Sequence, residues 1–252
     1  MTSALEKLAG AIAEHSVVDL SPVIKSNMVG CQRHPDVSVI SDARNHDQHG
    51  YFLQTLVLPE HSGCHVDAPY HILPDRPDRT IDAYPADRLM GIACKVDASS
   101  LELGPGEVLD LATYRRLAGD QGVHPERGHI ALVDFGWDHY ADAADHAPPA
   151  DRGWWGMNNP GFAEDLCAWL AGRGVRAVGT DTFACDAAVV DGHIRSSYGH
   201  RKYFLPNDIL IIEGLRSLAA VPGEFYFVAL PLRIANGSGS PLRAIGLVAA
   251  ER

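Results

Sequence analysis

His61-Ser62-Gly63-Cys64-His65-Val66-Asp67-Ala68-Pro69-Tyr70-His71 carries three imidazoles and a carboxylate at offsets 0, 4, 6 and 10. All four stand at odd-numbered positions. Side chains alternate faces along an extended backbone, so His61, His65, Asp67 and His71 share one side and Cys64, Val66 and Ala68 the other. Gly63 and Pro69 disfavour a helix. A straight strand would hold His61 and His65 roughly 13 Å apart at about 3.3 Å per residue, whereas the ligands of one metal lie about 2 Å from it. Convergence therefore needs a bend, and Gly63 is the residue that turns at least cost. Two neutral imidazoles and an acid meeting from one side leave coordination positions open, which suits a catalytic Zn(II), Mn(II) or Fe(II). A metal-free, histidine-rich surface loop would require neither the shared parity nor the placement of the glycine and proline.

The stretch resembles the H-x-G-T-H-x-D-x-P-x-H signature of the cyclase family of metal-dependent hydrolases, whose members include kynurenine formamidase, isatin hydrolase and a trans-dienelactone hydrolase. Every fixed position matches except the threonine, which is Cys64 here. The resemblance implies metal ligation by His61, His65 and Asp67 and a catalytic role for His71. Further along, His200, Phe204-Leu205 and the run ILIIEGL ending at Leu215 are similar to a second family stretch. That similarity implies a second metal position completed by His200 and Glu213 and bridged by Asp67. The spacing from His200 to Glu213 is one residue longer than in the family pattern, which leaves His193 as the alternative histidine. Without the family, Glu213 reads as an acid at a strand end, exposed or capping a neighbour. The segment LPLRIANGSGSPLRAIGL (residues 230–247) resembles the family's closing segment, and Asp19-Leu20-Ser21 and Gly179-Thr180-Asp181-Thr182 are weaker matches. Asp181 is a candidate acceptor behind a metal ligand, although strand-exit turn chemistry explains it equally well. The implied fold is α/β, a swivelling β/β/α domain spanning residues 1–252, with a mixed central β-structure flanked by helices and assembly as a homodimer or homotetramer.

The remaining composition narrows the function by exclusion. A net charge of −11 over 252 residues argues against nucleic acid and against an anionic membrane surface as partners. The five cysteines are scattered, with no C-x-x-C pair, and read as reduced thiols of a cytoplasmic protein. Met1–Leu20 contains Glu6 and Glu14 and lacks the apolar core of a signal peptide. Nothing reaches the apolar length of a membrane span. There is no G-x-S-x-G, P-loop or G-x-G-x-x-G after a strand. Cys64 lies on the face opposite the histidines and is expected to pack rather than react.

Hydrophobic periodicity predicts a helix over 3–15, then strands over 17–20, 51–58, 90–96, 130–135, 175–178, 209–213, 226–234 and 244–249. Helices are expected over 108–118 and from Asn159-Pro160 to Gly172, with loops over 23–45 and 138–159. Trp137, Trp154, Trp155, Phe52 and Phe183 are candidates to stack on a planar substrate. The other histidines are expected to be solvated.

A divalent cation, Zn or Mn, as one ion or two, would activate water for attack on a carbonyl, with His71 passing the proton to the leaving group. The expected activity is therefore hydrolysis of a small amide, imide or lactone. The alternatives are a metal-dependent lyase or cyclase acting through an enolate, and a non-catalytic metal-binding protein.

Overall fold

The computed structural model describes residues 3–31, 33–146 and 153–250. Its main sheet has eight strands: β1 (His15–Asp19), β2 (His65–Asp67), β3 (Met90–Asp97), β4 (Ile130–Asp134), β5 (Ala177–Thr180), β6 (Leu210–Glu213), β7 (Glu224–Pro231) and β8 (Gly239–Ala249). Their spatial order is β1-β8-β7-β3-β4-β5-β6-β2, and β2 pairs again with β8, which closes the sheet into a barrel. β8 is long enough to serve both neighbours on one side: Gly239–Pro241 pairs with β2, and its far end pairs with β1. β3, β4, β5 and β6 run parallel, and the other pairs are antiparallel. Helices α2 (Leu111–Gln121) and α3 (Glu164–Arg173) lie in the crossovers between parallel strands; α1 (Ala4–Ala13) precedes β1.

The parallel strands are apolar on both faces because both are covered, as parallel sheets require. Inside the barrel, Val66, Ile130, Leu132, Ile212, Phe225 and Phe227 form one core. On the outer face, Val133, Val178 and Ile211 pack with Tyr114 of α2 and Leu166 and Leu170 of α3. Cys64 belongs to the inner core, opposite the histidines, as its parity predicts. Burial pushes its thiol up to about 12, so it stays protonated and packs. The mixed α/β architecture inferred from the sequence is the one observed.

Local boundaries depart from the periodicity in four places, each for a tertiary reason. The stretch expected as a loop over 23–45 contains the strand Ser38–Arg44, which pairs with Leu53–Val57 in a separate two-stranded ribbon. The helix expected from residue 108 begins at Leu111; Val108–Leu109 pairs with Gly161–Phe162 instead, and Asp110 caps the helix by accepting from Thr113 N at 2.7 Å. That same pairing delays the next helix to Glu164 and removes Asn159 as its cap. Asn159 is buried and donates its amide to the carbonyls of Pro160 (2.8 Å) and Ala187 (2.6 Å). Finally, Asp138–His146 and Gly153–Met157 are helical where a loop was expected, while residues 147–152 of that stretch lie outside the described residues. The carboxylate of Asp181 accepts the backbone N–H groups of Phe135 (2.9 Å), Trp137 and Asp138 (3.2 Å) and holds the turn into that helix. Asp181 therefore acts on a turn and not behind a metal ligand. No helix among the described residues is long and apolar enough to cross a membrane.

Candidate metal centre

The chain bends at Gly63, whose φ is +61°, in the left-handed region open to glycine. The bend brings the His61 ring to 5.3 Å from that of His65, and the His61 and His71 rings lie 4.0 Å apart. β2 then runs antiparallel to β6, with His65 opposite Glu213 and Asp67 opposite Ile211. Because Val66 and Ile212 point into the barrel, His65, Asp67 and Glu213 share its outer face. His200 arrives from a helical turn at Gly199–Tyr203.

Asp67 lies between two donor sets, His61–His65–Asp67 and Asp67–His200–Glu213; in each, the potential ligand atoms all fall within 4.8 Å of one another. Asp67 Oδ1 is 2.6 Å from His61 Nδ1 and 3.7 Å from His65 Nε2, while Oδ2 is 3.3 Å from His200 Nε2. Glu213 Oε2 is 3.2 Å from His65 Nε2, and Oε1 is 3.5 Å from His200 Nε2. His193, the alternative to His200, is exposed on the ribbon Ala188–Val190/His193–Ser196 and is not part of either set. His71 lies beside both sets and belongs to neither.

In each of the three histidines the nitrogen turned away from the carboxylates is already engaged. His65 Nδ1 donates to the carbonyl of Gly63 (3.0 Å), and His200 Nδ1 donates to Asp186. His61 Nε2 meets Ser238 Oγ at 2.9 Å, and that hydroxyl donates to Glu60 Oε2 at 2.6 Å. Asp186 is itself held by the backbone N–H groups of Gly199 (2.7 Å) and His200 (3.2 Å). Such partners fix the tautomer and leave the inward nitrogens with lone pairs, the arrangement behind metal-bound imidazoles. The His61 ring also rests against Gly239, where an added Cβ would lie 2.5 Å from His61 Cε1.

The electrostatics of the cluster call for a cation. Glu213 Oε1 is buried with no hydrogen-bond partner among the described residues. Burial and the adjacent Asp67 carboxylate push the Glu213 carboxyl well above its usual range. Burial also opposes ionisation of Asp67, but His61, His71 and His200 outweigh it and hold that carboxyl well below its ordinary value. Burial disfavours the charged form of His200 too, yet Asp186, Asp67 and Glu213 together raise its pKa. Burial lowers His65, and it lowers His71 to about 4 despite the pull of Asp67. Two buried carboxylates facing oriented ring nitrogens, with one oxygen left without a hydrogen bond among the described residues, fit a divalent ion; a buried charge left unsatisfied is costly.

The cluster forms one wall of a cavity of about 250 Å³ that also includes His34, Ile72, Phe183, Ala187, Ile194 and Arg201. Phe183 reaches this cavity, as a stacking residue would. Trp137 and Trp155 are buried in the outer core, Trp154 stacks on Trp137 at 5.8 Å, and Phe52 is exposed just before the strand Leu53–Val57. His34 was expected to be solvated; instead its ring is 6.0 Å from both His61 and Phe183, and burial lowers its pKa. Neither His34 nor Asp186 carries a local sequence signal. Ser238 does, lying within the 230–247 segment.

Residues 18–187 match the family described as putative cyclase. The kynurenine formamidase of Bordetella petrii is 32% identical over 191 residues, covering 75% of this chain and 77% of that one. The isatin hydrolase of Roseibium aggregatum is 27% identical over 259 aligned residues, covering 98% and 97%. Among solved structures, an isatin hydrolase bound to the product analogue thioisatinate shares the fold with a TM-score of 0.83 at 22% identity, covering 99% of this chain and 100% of that one. With more than half of its length matched and a relative above 30% identity, the chain belongs to the putative cyclase family.

Proposed function

We propose that this protein is a metal-dependent hydrolase that opens a C–N bond in a small aryl-formamide or isatin-like cyclic amide, with a lactone as the related ester substrate. The observation that carries the reading is the buried Asp67–Glu213 pair, faced by three oriented imidazole nitrogens and opening onto the small cavity beside His71. The kynurenine formamidase and isatin hydrolase relatives support the substrate class.

Five residues are proposed as ligands: His61, His65 and Asp67 for one position, and Asp67, His200 and Glu213 for a second. A divalent ion there, Zn or Mn, supplies a Lewis acid that polarises a carbonyl and lowers the pKa of water. The protein supplies the rest. Asp186, Ser238–Glu60 and the Gly63 carbonyl orient the three rings. Phe183, Ile72 and Ala187 form an apolar wall for a planar ring and exclude bulk water. His71 is kept neutral by burial, so an imidazole nitrogen is free to accept a proton from the attacking water and pass it to the departing amine nitrogen. Water adds across the C–N bond, and the products are a carboxylic acid and an amine.

A panel of an aryl-formamide, isatin and an aryl lactone, assayed with Zn(II) or Mn(II) added back to chelated protein, tests the reading. Metal-dependent turnover of at least one is expected, and no turnover of any with either ion would overturn it. We further propose a homodimer or homotetramer in the cytoplasm. α1 buries none of its residues, and Leu5, Leu8, Ile12 and Val17 are exposed, which supports self-association; the free cysteines support a reducing compartment. Sedimentation analysis reads the assembly directly.

A further inference from the structure

We infer that a second cleft, at the opposite end of the parallel strands from Glu213, binds a phosphate group. The cleft has a volume of about 540 Å³ and is bordered by Arg88, Arg127 and Arg176, with Gly128, Gly174 and Asn207 between them. It lies where α3 ends and where β4, β5 and β6 begin, whereas Glu213 ends β6.

Three guanidinium groups gather here in a chain whose net charge is −11. Among the described residues none of the three is paired with a carboxylate. Arg176 donates to the backbone carbonyls of Gly128 and Met90 (2.9 Å), and Arg88 donates to the carbonyl of Asp208. Those bonds fix the two side chains in place and leave their charges uncompensated. Arg88 Nε is buried with no hydrogen-bond partner among the described residues. Arg127 is exposed and makes no hydrogen bond or ion pair among the described residues. The carboxylate of Asp208, whose carbonyl Arg88 meets, is taken up by Tyr84 (2.9 Å), Arg79 (3.4 Å) and Arg76 (3.9 Å).

The backbone brings two of the cations together. Gly128 N donates to the Gly174 carbonyl at 2.9 Å, so the two glycines form one junction. An added Cβ at Gly174 would lie 3.1 Å from Arg127 Nη1, and one at Gly128 would lie 3.6 Å from Arg176 Nη2. Guanidinium forks match the paired oxygens of a phosphate and bind it bidentately. The end of α3 contributes roughly half a negative charge, which three full positive charges exceed. The cleft has room for more than the ion, so the group is either inorganic phosphate or the head of a small phosphomonoester.

The test is a thermal-unfolding titration of the metal-loaded protein with inorganic phosphate and with glycerol 3-phosphate, against potassium chloride at matched ionic strength. We expect a saturating rise in Tm of about 5 °C or more at a hundredfold excess over Kd, lost in Arg127→Gln. Arg127 has no partner to lose among the described residues, so the variant should keep the wild-type Tm without ligand and the wild-type turnover. A larger rise with glycerol 3-phosphate assigns the group to an organic phosphate; an equal rise assigns it to the free ion. No rise beyond chloride with either, or an equal rise in Arg127→Gln, overturns the proposal.

Discussion

Glu213 faces His65 across an antiparallel pair of strands, its Oε2 3.2 Å from His65 Nε2, while its other oxygen has no hydrogen-bond partner among the described residues. The relationship joins the two halves of the site, because Asp67, two residues along from His65, also meets His200. A cluster built in this way is under electrostatic stress until a cation enters it.

Chelation should therefore act on stability as well as on rate. Ion binding that favours the folded state at a thousandfold excess over Kd contributes about 4 kcal/mol. At roughly 2–4 °C per kcal/mol for a domain of this size, dialysis against a strong chelator should lower Tm by at least several degrees and abolish turnover. Zn(II) or Mn(II) should restore both. Calorimetry with and without chelator reads the shift.

The two donor sets separate by mutation. Asp67→Asn removes the residue common to both sets and should leave the purified protein without stoichiometric metal. Glu213→Gln removes only the second set, so a two-ion centre should fall to one ion per chain. Mass-spectrometric metal analysis distinguishes these outcomes: one ion per chain in both the parent and Glu213→Gln would rule out a second position, and two ions in both would remove Glu213 as its ligand.

His71→Ala should keep the metal and lose about 10²–10⁴-fold in kcat, the usual contribution of a positioned acid–base group. The sign of its pH dependence follows from its environment. Burial lowers its pKa to about 4, and it accepts a proton only when neutral. Its contribution should therefore persist from neutral pH down to about pH 5 and fail below. Measured with saturating metal, an acid limb near 6.5 that vanishes in His71→Ala would show the ring titrating as though in water.

Removing the partners behind the rings should weaken the ions without touching a ligand. Asp186→Asn and Ser238→Ala should each lower metal affinity about 10–100-fold, Asp186 acting through His200 and Ser238 through His61. Competition with a chromogenic chelator measures the loss. Activity should return at high metal concentration, which a general folding defect would not allow.

Gly239→Ala would place a Cβ 2.5 Å from both His61 Cε1 and the Val66 carbonyl. The crowding should destabilise the fold by about 1–3 kcal/mol and displace His61. Gly172→Ala is the control: it lies within α3, where an added Cβ meets nothing within 4 Å. It should stabilise by roughly 0.5–1 kcal/mol. Denaturant midpoints of the two variants should move in opposite directions.

The residues 61–71 determined a good deal unaided. Parity along an extended chain is a local property, so the separation of Cys64 and Val66 from His65 and Asp67, and the turn required at Gly63, were legible in the sequence. Apolar runs likewise announced the central strands, because burial on both faces demands them. Tertiary structure decided what local pattern does not carry. Asn159 reads as a helix cap, yet strand pairing at Gly161–Phe162 claims the backbone first. His34 and Asp186 carry no local signal and Glu213 reads locally as an ordinary strand-end acid; only closure of the barrel and the path of the 183–200 segment bring them to one cavity or cluster. The physical reason is range: alternation and turn chemistry act between neighbours, whereas a shared cation site is a balance of charge and burial among groups that only the completed fold makes adjacent.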